Sequence, residues 1–88
     1  MKEKNDKIKV IYEQVLNEII TNLNNQDPIV RSQAFQTLST PSVFDAMVGL
    51  NKIVSHEILF QQLKTETSSE VIIAAEYLLK KILELELK

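Results

Sequence analysis

Few side chains in this sequence have the chemistry of a reactive site. One histidine, His56, is followed directly by Glu57. Such a pair could move protons or begin a metal site. Zinc and iron centres draw three or four ligands from His, Cys and carboxylate side chains, and the sequence has no cysteine and no second histidine. The apolar neighbours Ile58, Leu59 and Phe60 place His56 at a helix surface or boundary instead. Glu66 and Glu70 form a carboxylate pair at helical spacing, but Glu70 has a capping role, and nothing around the two would push their pKa values apart as acid–base catalysis requires. A single glycine, Gly49, cannot build a phosphate-cradling loop, and no Ser/His/Asp set stands at plausible positions. The residue types therefore point away from an enzyme, and no cofactor or metal is expected.

A second kind of chemistry is recognition. Arg31, Gln33 and Gln36 carry the donors with which a helix reads base edges or a partner's surface. Nucleic-acid affinity rests mainly on clustered Lys and Arg neutralising phosphates. The 88 residues hold 10 Lys+Arg against 12 Asp+Glu, a net charge of -2. The basic side chains gather only at the start, where Lys2, Lys4, Lys7 and Lys9 face Glu3 and Asp6, a local excess of +2. These read as a solvated helix start. Asp27 and Asp45 flank Arg31, Gln33 and Gln36 with the wrong sign for DNA.

These residues must be positioned by helices. Two prolines and one glycine are too few turn residues for an all-β fold, and 44% apolar with 25% charged residues is the balance of one small globular domain. No apolar run is long enough to span a bilayer. The Lys-rich start lacks the apolar stretch of a secretory signal, because Glu13 and Glu18 interrupt it. A cytoplasmic protein is the expectation. Abundant Ile, Lys and Asn with one Arg suggest an AT-rich genome, bacterial or phage.

Four helices are expected over residues 1–88, with 1–5 as a frayed tail. The first runs from about Asp6 to Leu23, with Ile8, Ile11, Tyr12, Val15, Ile19 and Leu23 as its inward stripe. Asp27-Pro28 starts the second, because an aspartate oxygen accepts an orphan amide and proline fits the first turn. It ends near Ser39, with Val30, Ala34, Phe35 and Leu38 inward. Thr40-Pro41 repeats the device, with Ser42 and Asp45 as a weaker capping box. A long third segment follows to Leu63, in which Gly49 marks a kink or close approach, ahead of a full break into two helices. Thr67-Ser68-Ser69-Glu70 is a capping box with Thr67 as cap and Glu70 reaching back. The last helix, Ser68 to about Leu87, is apolar around most of its circumference and should lie centrally.

The chain also compares with itself. A shift of 41 residues carries Val30 onto Val71, Ala34 onto Ala75 and Leu38 onto Leu79. A shift of 43 carries Val10 onto Ile53, Ile11 onto Val54, Val15 onto Ile58, Leu16 onto Leu59 and Ile20 onto Leu63. Such spacing belongs to two-helix repeats. The stretch Asp27-Pro28-Ile29-Val30-Arg31-Ser32-Gln33-Ala34-Phe35-Gln36-Thr37-Leu38 resembles the start of the inner helix of a HEAT-like repeat, where an acid is followed by Val-Arg, Ala and Leu. The resemblance would cover residues 8 to 87 as two repeats. The second copy departs from it, with Ser68 in place of the acid and Ile72 in place of the arginine. It implies an all-α pair of helical hairpins, and a plain antiparallel four-helix bundle is the alternative.

Both architectures lead to binding rather than catalysis. Two helical units leave apolar surface uncovered, with Ile72 or Ile73, Leu85 and Leu87 as the side chains in excess. The expected function is a protein–protein interaction module with Arg31, Gln33, Gln36, Leu85 and Leu87 at its contact surface and a homo-oligomer as one outcome. The alternatives are a small DNA-binding regulator and a bacteriocin-immunity-type or mobile-element antidote.

Overall fold

A computed structural model describes residues 2–87, with side chains from Lys7 onward. Five helices follow in order: α1 (Lys2–Asn22), α2 (Pro28–Ser39), α3 (Pro41–Gly49), α4 (His56–Thr65) and α5 (Ser69–Glu86). The all-α class stands, while the helix count is five rather than four. The backbone of α1 begins before Asp6. Of the tail expected at 1–5, Met1 and the remaining side chains lie outside the described residues.

The extra helix arises at Gly49, where the long third segment breaks. Lys52 N–H donates to Met47 O at 2.9 Å and Asn51 N–H to Val48 O at 3.1 Å, the paired bonds of a Schellman motif. Its left-handed residue is Asn51, with φ at 56°, not the glycine. A Cβ on Gly49 would meet nothing within 4 Å, so neither a kink nor a close helix approach explains it. The backbone of residues 52–55 then carries the chain to α4, which Ser55 caps by accepting from Glu57 N–H at 3.2 Å.

The Asp27-Pro28 start forms as the residue chemistry dictates: Asp27 Oδ1 accepts from Ile29 N–H at 2.9 Å and Pro28 opens the helix. The other two expected caps form differently. Thr40 turns its hydroxyl back to Gln36 O at 3.3 Å, and Pro41 alone marks the start of α3. At α5 the cap residue is Ser68, without a side-chain bond. Just ahead of it, the carboxylate of Glu66 accepts from Thr67 N–H at 3.1 Å and Ser68 N–H at 3.2 Å and so holds the turn that leads into α5.

Helix α5 packs along α2 in the largest interface, α1 and α3 lie on α2, and α4 lies on α5. The core between them is built from Phe35 and Leu38 of α2, Met47 of α3, Leu59 of α4 and Val71, Ala75, Leu78 and Ile82 of α5, all buried. The long α5 is therefore central, as its apolar circumference requires. The expected inward stripe of α1 forms only in part, at Ile19 and Leu23. Leu16 and Leu23 are buried, with Ile19 and Ile20 beside them. Ile8, Ile11, Tyr12 and Val15 are exposed, because only the second half of α1 packs on the core and the first half leaves the same side of the helix uncovered.

The molecule measures 47 × 32 × 18 Å. A radius of gyration of 13.6 Å exceeds the roughly 12 Å of a compact domain this long. The shortest dimension is close to two helix diameters, so the helices form a thin slab.

Candidate interaction surface

Arg31 is not an open contact residue. It leaves the first turn of α2 and binds Glu66 at the end of α4 in a fork, Nε to Oε1 and Nη2 to Oε2, both at 2.8 Å. Its Nη1 donates to Asn25 O at 2.8 Å and Gln26 O at 3.0 Å. The two side chains are 18% and 4% exposed, so the guanidinium spends its donors on closing the α1–α2 turn against the α4–α5 turn. Hydrogen bonding from Arg31 holds the Glu66 carboxyl below the ordinary carboxylate range, against burial that pushes it up. The same bond raises the Arg31 guanidinium. Nearby, the Gln62 amide donates to Leu23 O and joins α4 to the end of α1. Arg31 is thus engaged within the fold, with 18% of its side chain left exposed.

The other expected residues are scattered. Gln33 and Gln36 are exposed on α2, and Gln36 also donates to Ser32 Oγ at 3.1 Å. Leu85 is half-buried against the core, and Leu87 is 87% exposed just past the end of α5. His56 opens α4, with Nδ1 3.0 Å from Glu86 Oε1 and its ring edge-on to Phe60. An ionised carboxylate only accepts, so Nδ1 carries the hydrogen. This exposed contact ties the start of α4 to the end of α5. Lys81 donates to Ser39 O at 3.1 Å and sits over the rings of Phe44 and Tyr77 at 5.1 and 5.7 Å, pinning α5 to the last turn of α2, where a cation is favoured.

A run of exposed apolar side chains lies on α1, where sequence reasoning expected core. Ile8, Ile11, Tyr12 and Val15 are 45–59% exposed and fall on one face at steps of three and four residues. Beside them a groove of about 220 Å³ runs between α1 and α3, lined by Tyr12, Val15, Leu16 and Ile19 on one side and Val43 and Ala46 on the other. The sequence held a signal for this. Ile8, Ile11, Tyr12 and Val15 together with Leu16, Ile19, Ile20 and Leu23 make an apolar arc about half the helix around, wider than one neighbouring helix can cover.

Among the described residues no three metal-ligating side chains come together, and no helix is long and apolar enough to cross a membrane. The fold and this surface define a small all-α chain with an uncovered helical face. Comparison with protein-family models, curated proteins and solved structures found no match to the chain.

Proposed function

We propose that this chain is a non-enzymatic protein–protein interaction module that binds through the exposed face of α1. The observation that carries the reading is the Ile8–Ile11–Tyr12–Val15 stripe beside the α1–α3 groove. Apolar side chains at helical spacing, left in water next to a groove, are what a partner helix covers. The internal use of Arg31 supports this over DNA binding, since it ties up the one arginine that a recognition helix at α2 would present. No observation favours the antidote reading over other kinds of binding.

A HEAT-like pair is the arrangement we propose for the two halves, with α1–α2 as one hairpin and α4–α5 as the other. Positions related by the internal shift support it: Ala34 and Ala75, Leu38 and Leu79, and Leu16 and Leu59 are all buried. The helices α2 and α5, which the shift of 41 relates, make the largest interface. A cytoplasmic location fits such a module.

The reading is tested by placing a photo-crosslinking amino acid at Ile11 or at Asn17, a third of the way around α1 and outside the stripe, and irradiating the full chain in its host. A protein adduct from position 11 and none from Asn17 is expected. No protein adduct from position 11 overturns the reading.

A further inference from the structure

The face on α1 has a charge pattern that fits a particular occupant. Ile8, Tyr12, Val15 and Ile19 follow one another at steps of four, three and four, the spacing of a coiled-coil seam. Lys7 and Glu18 are both exposed and stand eleven residues apart. At 100° per residue that is three turns with about 20° left over, so the two charges lie along the same edge of the stripe. A two-fold axis perpendicular to the helix keeps each edge on its own side and reverses its direction. Two copies of α1 running antiparallel therefore bring Lys7 of one to Glu18 of the other, twice.

We infer that the partner covering this face is a second copy of this chain, docked through antiparallel α1 helices. The inference rests on the reading of α1 as the binding face. With the axis between Glu13 and Gln14, Ile8 lies against Ile19 of the second copy and Tyr12 against Val15, each contact occurring twice as an isologous interface demands. The Tyr12 ring of the second copy then reaches the wall of the α1–α3 groove. A parallel pair, whose two-fold axis runs along the helices, would carry this edge to the opposite side of the seam in the second copy and leave Lys7 and Glu18 apart. A heterologous partner would not require opposite charges three turns apart on one edge.

A seam of four layers is short, at the low end of about 1,200 Å² for specific interfaces, so the concentration series must reach well above the micromolar range. The test is molar mass by sedimentation equilibrium from low micromolar to submillimolar concentration, with circular dichroism on the same samples. The wild-type chain passes from monomer to dimer. Val15→Glu, at a position already exposed in the monomer, stays helical and monomeric. Lys7→Glu and Glu18→Lys each weaken the dimer about fivefold, and the double reversal restores it. A chain monomeric throughout, a dimer indifferent to Val15→Glu, or a double reversal that fails to restore association overturns the inference. A monomer whose position 11 crosslinks to a different protein overturns the inference alone, and the absence of any adduct overturns the binding face as well.

Discussion

At the scale of single residues, the pair Arg31–Glu66 decides most. It joins residues 35 positions apart in sequence, and the two forked bonds hold the α1–α2 turn against the α4–α5 turn. Because hydrogen bonding from Arg31 lowers the Glu66 pKa in the folded state, the pair's contribution to stability is fully present above the ordinary glutamate range. It is lost as pH falls through the depressed folded-state value. Thermal melts of wild type are therefore expected to lose stability on acidification below about pH 4.3. Glu66→Gln is expected to melt lower at neutral pH, since one partner of a largely buried pair is gone, and to show a flatter acid dependence. Equal acid slopes for the two proteins would refute this role. Arg31 and Glu66 were visible in the sequence as separate features, one as a recognition residue and one as half of a carboxylate pair. Their partnership depends on α4 ending beside the turn before α2, which no local pattern encodes.

Individual helices were the most legible level. Proline and aspartate marked the start of α2 because cap chemistry acts within three residues, and the central place of α5 followed from its apolar circumference. Gly49 misled because a lone glycine is an ambiguous sign: it marks a helix end as readily as a flaw inside one. The residue that turns the chain is Asn51, whose positive φ suits asparagine's side chain better than most. Gly49→Ala is expected to stabilise the protein by about 0.5–1 kcal/mol, because a Cβ there meets open space and the unfolded chain loses freedom. Asn51→Ala should cost about 1 kcal/mol for the left-handed backbone. For a domain of this size each appears as a shift of several degrees in melting temperature, upward in the first case and downward in the second. The apolar arc of α1 was equally plain as a pattern. How far along the helix that arc is covered was not, since the same period runs through the buried and the exposed half.

The whole molecule is a thin slab whose centre is the contact of α2 with α5. Ala75, 1% exposed, sits among the buried side chains of α5. Ala75→Asp places an unpaired carboxylate there and is expected to abolish the cooperative melt followed by circular dichroism. Glu76→Ala, one position on and exposed, should change stability by less than about 0.5 kcal/mol. The all-helical class followed from composition and periodicity alone. The order of packing did not, because short turns constrain neighbours in sequence and leave distant pairs open. That distant pairing has a kinetic meaning. The turn between α1 and α2 and the one between α4 and α5 each close a short loop, so the nearby helices meet early and at small entropic cost. The chain between Ser39 and Ser69 must close a far longer loop before α2 can reach α5. Until it does, Phe35, Leu38, Leu78 and Ile82 remain largely in water. Local helix pairing therefore comes first and confers little stability, and the late meeting of the two halves is the event that sets the folding barrier.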